Sequence, residues 1–374
     1  MTAFCPVTTG YPLLSLYLGS NTMTKPIAFP VALTLSLTLV ACGGGGGDTS
    51  TSSTPTTPTA PSTVLPSVSV AIPSASYTAG SAELGGWTVL QQARVLCGFG
   101  ALTQNTRLDA AALSHARYQN SISITSGVSE LTHYETVTNN PYYTGYNPWD
   151  RTSYQGYGNL VAEILAATVW NYDSNNPPVF PTLQERGASS MLSLLNTVYH
   201  LQGAMYEGAD VGFGADLQTV ATGTARREEY RFGSLNGYQS TARRIKLGTG
   251  NLATYPCQGS SNIPTAFVPA NESPNPFPAM TSTSQTVGPP IYLKADAGQV
   301  LSVTSSSISK GGVSVSTQLL NRSNDPQVPR EIGTHEAFVV PTSALSPNST
   351  YQVNLGGTLN GIPFTRSFTM STGQ

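Results

Sequence analysis

A histidine and a carboxylate stand two residues apart at His133 and Glu135, between a helical pattern and a long loop. The chain has only four histidines, so each imidazole is a candidate chemical group. Glu163 lies between apolar residues, where a carboxylate is either paired or has a raised pKa. His200 lies towards the end of a later helical pattern. Imidazoles and carboxylates together are typical of zinc sites and of proton-transfer sites.

The spacing of these residues leaves their chemistry open. The chain has no His-Glu-x-x-His pair on one helix and no Gly-x-Ser-x-Gly nucleophile elbow. Three interpretations therefore compete for His133, Glu135, Glu163 and His200. They could line a ligand cavity, hold a divalent metal such as zinc in a metal-assisted hydrolase, or form a buried polar network that stabilises the fold. Whether the protein is an enzyme stays open at this stage.

The elements around these residues are a mixture of helices and strands. Apolar spacing predicts helices over 84–96, 108–118 and 187–205, and strands at 211–214 and 230–233. In the second helix Leu108, Ala111, Ala112, His115 and Tyr118 form one stripe, started by an Asn105 or Thr106 cap. His115 lies on that stripe and is predicted to be a packed core residue.

Several motifs in this region, taken together, resemble the CAP superfamily, whose members include cysteine-rich secretory proteins and group 1 pathogenesis-related proteins. The motifs follow one another in the family's order: Leu90-x-x-Ala93-Arg94 with Cys97-Gly98-Phe99, Leu108-Asp109-Ala110-Ala111 to Tyr118, His133-x-Glu135, Glu163, Tyr199-His200 and Val211-Gly212-Phe213-Gly214. The resemblance implies an α/β/α sandwich over residues 81–263. It also implies that His133, Glu163 and His200 share one cavity.

The chain departs from the family pattern at three points. The triplet around Glu163 reads Ala-Glu-Ile, where the family usually has Gly-Glu-Asn. Leu201 stands where bacterial members often have an arginine. The family's second cavity glutamate has no clear counterpart, and its candidates are Glu135 and, less directly, Glu185 and Glu207.

An aromatic loop follows the first histidine. Residues 139–149 are rich in turn formers and carry four aromatic side chains, Tyr142, Tyr143, Tyr146 and Trp149. We expect these rings to form the rim of a binding site for a lipid, glycan or peptide ligand, because family members that bind lipids or sterols make that use plausible.

The front of the chain predicts export. Lys25 precedes an apolar run at 27–40, too short to span a membrane but suited to a signal peptide. Leu39-Val40-Ala41-Cys42 resembles a bacterial lipobox, which implies cleavage before Cys42 and a lipid anchor there. Residues 1–42 are thus a leader, beginning at Met1 or Met23, and residues 43–80 are a flexible tether. Gly43 after the cysteine favours the outer membrane of the cell envelope.

Two cysteines remain after the leader and the lipidated residue. Cys97 and Cys257 are an even number of cysteines in a chain predicted to be exported, which favours a disulfide between them. Such a bond would stabilise the fold by about 4–5 kcal/mol in the chain-entropy model.

The second half has a different composition. Prolines over 264–280 indicate a linker, and short alternating strands over 281–374 predict an all-β sandwich that resembles bacterial immunoglobulin-like modules. The whole chain is therefore predicted to be α+β. Its net charge of −2 and the lack of a basic stripe give no support for nucleic acid as a partner.

Overall fold

The structure is a computed structural model that describes residues 14–18, 68–129 and 131–374. Its helices are α1 (Ala82–Leu96), α2 (Thr106–Ser126), α3 (Pro148–Tyr154), α4 (Leu183–Leu194) and α5 (Val198–Ala204). Its strands in the first half are β1 (Leu14–Leu18), β2 (Thr103–Gln104), β3 (Val161–Asp173), β4 (Asp210–Thr222), β5 (Ala225–Gly237), β6 (Ala253–Tyr255) and β7 (Glu272–Ser273). The second half has β8 (Ile291–Lys294), β9 (Leu301–Lys310), β10 (Val313–Val315), β11 (Thr317–Asn321), β12 (Glu336–Pro341), β13 (Thr350–Leu359) and β14 (Ile362–Ser371).

These helices and sheets confirm the predicted α+β class. Cys42 and the tether up to residue 67 lie outside the described residues, as does the leader apart from the backbone of β1. Within the part of the chain that the structure describes, none of the helices has the length and apolar character needed to cross a membrane.

The first half is built on a six-stranded sheet in the order β2-β4-β5-β3-β1-β7. The long strand β5 pairs antiparallel with β3 on one side and with β4 on the other. Helices cover both faces of these strands. Leu108 and Ala112 of α2 pack with Leu235 on one face, whereas Leu90 of α1 and Leu194 of α4 share a core with Phe232 on the other.

Helix α2 begins as its sequence predicts, but it ends later than expected. Asn105 accepts a hydrogen bond from the N–H of Arg107, which makes it the N-cap. The predicted stripe is buried, including His115. The helix continues to a left-handed Gly127 at φ 73°. The last turns of the helix are held by polar contacts, such as the hydrogen bond that the Ser123 hydroxyl donates to Glu229 at 2.6 Å. Residues that make such contacts are polar, so the sequence of these turns shows no apolar period.

Two glycines bring α2 directly onto strand β4. A Cβ added at Gly212 would collide with the backbone of Leu108 and Asp109, and one at Gly214 with that of Leu113. The alternation Val-Gly-Phe-Gly therefore places Val211 and Phe213 in the core on one face and leaves room for a helix on the other.

The second half consists of two four-stranded sheets, in the orders β10-β9-β13-β14 and β11-β12-β8-β6. Alternating residues of both sheets form one buried apolar cluster, in which Ile308 and Val353 of one sheet join Leu293 and Val339 of the other. The predicted strands over 291–370 agree with this arrangement. Its assignment as an immunoglobulin-like module stays a prediction.

Packing is continuous between the two halves. Strand β6 lies within the range predicted for the first domain, yet it pairs with β8 of the second half. Phe267 and Phe277, inside the predicted linker, are buried. The rings of Phe99 and Tyr292 stack across the junction with centroids 6.1 Å apart. The predicted disulfide is confirmed, because Cys97 and Cys257 are joined by an S–S bond of 2.10 Å.

Candidate functional site

The first pair of predicted site residues meets beneath the aromatic loop. His133 comes from the segment after α2, Glu163 from β3 and Arg151 from α3. His133 Nδ1 lies 2.7 Å from Glu163 Oε2. Arg151 Nη2 donates to both Glu163 oxygens, at 2.8 and 2.7 Å. At most 2% of the surface of any of the three residues is exposed, so this is a buried ion-pair network and not an open site.

The charges in this network can be assigned from their surroundings. Burial alone would raise the pKa of Glu163, but Arg151 and the neighbouring imidazoles hold that pKa far below its usual range. Burial lowers the pKa of His133, and Glu163 offsets only part of the effect. At neutral pH we therefore infer an ionised Glu163 beside a neutral His133 that donates from Nδ1. The lone pair then sits on Nε2, and that buried atom has no hydrogen-bond partner.

Glu135 faces His115 and not His133. Its Oε1 lies 2.9 Å from His115 Nδ1 and 3.8 Å from Nε of Arg151. Its other oxygen accepts the N–H of Thr144 at 2.9 Å. His115 is buried as predicted, but it also belongs to the network. Arg151 therefore links two buried His–Glu pairs, and nothing in the sequence spacing marked it for that position.

His200 lies in a second, separate cluster. Its Nδ1 is 2.8 Å from Thr197 Oγ1 and 3.2 Å from Glu272 Oε1. Glu272 also accepts the backbone N–H groups of Val198 and Tyr199, at 3.0 and 2.6 Å. Sequence reasoning missed Glu272, because it lies 72 residues after His200 in the proline-rich segment.

The weaker glutamate candidates have other roles. Glu185 caps α4, and Glu207 binds Lys294 at 2.8 Å.

The predicted metal site was tested against these positions. Each ligand histidine of a metal site usually has one ring nitrogen fixed by a carboxylate and the other on the metal. His133 and His200 both have a carboxylate at Nδ1 and a buried Nε2 without a partner. Across residues 68–129 and 131–374, however, there is no group of three or more His, Cys, Asp or Glu side chains that could hold a metal ion. No three-ligand cluster is therefore preformed within those ranges, and zinc binding stays a prediction.

The aromatic loop lies directly over the first network and is fixed by it. The carbonyl of Tyr146 accepts the N–H of Glu135 at 2.8 Å. The Tyr134 and Tyr146 rings lie 4.9 Å apart. Of the four predicted rim residues, Tyr142 is 40% and Tyr146 is 50% exposed, whereas Tyr143 and Trp149 are half-buried. The loop ends in a capping box at the start of α3, where Asn147 and Asp150 bind each other's backbone.

No model of a known protein family matches this chain, and no curated protein matches it either.

Proposed function

We propose that this chain is an exported, lipid-anchored envelope protein that binds a lipid, glycan or peptide ligand through its aromatic loop. The observation that carries the proposal is a pair of exposed tyrosines, Tyr142 and Tyr146, on a loop held from below by buried ion pairs. Exposed aromatic rings on a fixed backbone bind ligands at a reduced entropic cost, because little backbone freedom remains to be lost.

In this proposal the first half is a CAP-like domain and the second an immunoglobulin-like module. The order of motifs from Leu90 to Gly214 supports the first assignment, and helices on both faces of the sheet agree with it. The buried network is then a support for the loop. Glu135 accepts the N–H of Thr144 within the loop, and Arg151 donates to the backbone carbonyl of His133, just before the loop, at 2.8 Å.

The loop proposal is tested by truncating its exposed rings. Purified peptidoglycan sacculi offer glycan and peptide, and vesicles of phosphatidylethanolamine and phosphatidylglycerol offer lipid. We expect a Tyr142→Ala/Tyr146→Ala variant to lose capture by at least one of these, with its melting temperature unchanged. Tyr154→Ala is the matched control, because Tyr154 is 70% exposed at the end of α3 but lies outside the loop. Equal capture by wild type and the double variant would refute the proposal.

The anchor is tested separately. Leu39-Val40-Ala41-Cys42 supports lipidation of Cys42 after export. Cleavage before Cys42 would remove β1, which pairs with β3 and β7 in the sheet. We expect cells that express the wild-type chain to incorporate radiolabelled palmitate into it and to place it in the membrane fraction. Cys42→Ser should abolish the labelling. Label retained in the Cys42→Ser variant would contradict a lipid anchor at this position.

A metal-assisted hydrolase is the second candidate. The partnerless Nε2 atoms of His133 and His200 support it, since each could donate a lone pair to a zinc ion that activates water. Zinc titration by calorimetry decides between the hydrolase and the ligand-binding protein. Binding that either His133→Ala or His200→Ala removes would support the hydrolase candidate, and the absence of any binding heat would dismiss it.

A further inference from the structure

The outer face of one sheet in the second half is made of neutral hydroxyl and amide groups. Along β9, β13 and β14 every second side chain points away from the core, and the alternate ones, such as Ile308, Val353 and Phe368, are buried. We name the outward set the hydroxyl face: Ser305, Ser307, Ser309, Gln352, Asn354, Thr365, Ser367 and Thr369. Among these described residues none is charged.

The strand register places these side chains in rows across the sheet. Asn354 lies opposite Ser307 on one neighbour and Ser367 on the other. Gln352 lies in the same way between Ser309 and Thr369. Rows along a strand repeat about every 6.6–6.8 Å, and neighbouring strands lie about 4.8 Å apart. The face is therefore a regular polar grid.

Hydrogen bonds between the side chains fix this grid. Gln352 Nε2 donates to Ser367 Oγ at 2.9 Å. Ser367 donates to Asn354 Oδ1 at 2.8 Å, and Asn354 Nδ2 donates to Ser307 Oγ at 3.3 Å. The donors run in one direction, which orders the groups and polarises them. Ser307 ends the run, and the structure gives its hydroxyl hydrogen no acceptor within the described residues.

Gly356 is buried beneath the side chain of Ser305 in this face. It lies between Ser305 and Thr365 in the register, and a Cβ at this position would lie 2.6 Å from Ser305 Oγ. The strand carries a bulge between Gly356 and Gly357. A glycine inside a strand often marks a bulge or a place where a ligand approaches the backbone closely.

The chemistry of the face selects its partner by class. Nucleic acids need Lys and Arg to neutralise phosphates. Membrane surfaces bind basic and apolar side chains. Protein interfaces depend on Trp, Tyr and Arg, and Ser and Thr contribute little there. The hydroxyl face has none of the favoured groups. It offers ordered neutral donors and acceptors, which match a polymer that carries many neutral hydroxyl groups.

We infer that the hydroxyl face binds a neutral polysaccharide, whose chain lies on the face and exchanges hydrogen bonds with the side chains around Asn354. This binding surface goes beyond the proposed function, because it does not involve the aromatic loop. Each row contributes weakly, so binding requires a polymer that contacts several rows at once.

The test is native affinity electrophoresis of the full chain in gels that contain hydroxyethyl cellulose, xylan or dextran. We expect at least one of these polymers to retard the wild-type protein. Thr365→Lys and Asn354→Ala should each weaken the retardation by about five-fold or more, since about 1 kcal/mol corresponds to that factor. Thr219→Lys is the matched control, because Thr219 is an exposed strand residue on β4. Thermal unfolding of each variant checks that it is folded.

Three results would overturn the inference. The first is no retardation by any of the three polymers. The second is retardation that persists in Thr365→Lys but is lost in the Tyr142→Ala/Tyr146→Ala variant, which would support the aromatic loop instead. The third is self-association in sedimentation velocity that Thr365→Lys abolishes, because the face would then bind a second copy of the chain.

Discussion

At the scale of single residues, the sequence identified the right chemical groups but not their partners. His133 and Glu163 do meet, at 2.7 Å. Glu135 was chosen for its closeness in sequence to His133, yet it pairs with His115. Arg151 and Glu272 complete the two clusters, and neither lies at a recognisable spacing from its partner. Pairing across distant segments depends on tertiary packing, which local patterns do not encode.

Glu163→Gln tests the buried network. The change removes the ionised partner of Arg151 while both side chains stay buried. We expect the free energy of unfolding to fall by about 3–5 kcal/mol, because the buried Arg151 loses its hydrogen-bonded carboxylate and keeps only Glu135, at 3.8 Å. Urea unfolding monitored by circular dichroism measures this loss. Glu185→Gln is the control, since glutamine also completes a capping box. A loss below about 1 kcal/mol for Glu163→Gln would contradict a network that supports the fold.

Glu331 makes the stability of the protein fall as the pH rises, whereas Glu163, whose pKa is lowered, makes it rise. Burial, and then the nearby Asp325, raise the pKa of Glu331 to about 7. Between its unfolded pKa and about 7 the folded chain holds a proton that the unfolded chain has lost, so stability falls as the pH rises. Glu331 is partly exposed, which reduces the effect. We expect Glu331→Gln to stabilise the protein by about 1–2 kcal/mol at about pH 8 and to have no effect at about pH 4. Equal shifts at both pH values would disprove this assignment.

At the scale of elements, the sequence predicted those with a strong apolar period and missed those held by polar contacts. The buried stripe of α2 is confirmed, whereas its last turns depend on bonds such as that from Ser123 to Glu229. Strands in the second half alternate regularly and were predicted well. Strand β6 was not predicted, because its three residues carry no clear strand signal, and it pairs with β8 of the second half.

Gly212→Ala tests the close packing of α2 on β4. The new methyl group would collide with helix backbone at Leu108 and Asp109, which cannot move as a side chain can. We expect a loss of about 3 kcal/mol or more in unfolding free energy. Gly233→Ala, on the adjacent strand, is the comparison, because its methyl group would meet only the flexible end of Leu165 at 3.1 Å. Equal losses in the two variants would show that backbone contact is not the cause.

At the scale of the whole molecule, the two halves form one packed body. A single apolar cluster includes Leu90 and Leu201 of the first half with Tyr292 and Phe338 of the second. The carboxylate of Asp325 in the second half accepts the hydroxyl of Tyr199 on α5 at 2.7 Å. Composition revealed a change near residue 264 but could not reveal this contact. The second half therefore helps to position α5 and with it His200.

Removal of the disulfide tests how the halves depend on it. Cys97 follows α1, and Cys257 follows β6, which belongs to a sheet of the second half. The bond closes a long loop with a separation of 160 residues. We expect Cys97→Ser/Cys257→Ser to lower the unfolding free energy by about 2–5 kcal/mol, measured by denaturant unfolding without reductant. The wild type with reductant should show the same loss. No change in either sample would mean that packing alone joins the two halves.

The central claim is that the buried His–Glu network supports a binding loop and that the loop itself makes the contact. The most direct measurement is the binding of Tyr142→Ala/Tyr146→Ala and of His133→Ala to sacculi and vesicles, with the melting temperature of each variant recorded beside it. We expect the tyrosine variant to bind at least about ten-fold more weakly, a loss of about 1.4 kcal/mol, at an unchanged melting temperature. We expect His133→Ala mainly to lower the melting temperature. Unchanged binding by the tyrosine variant, with binding lost in a His133→Ala protein of normal stability, would contradict the account and place the function at the histidines.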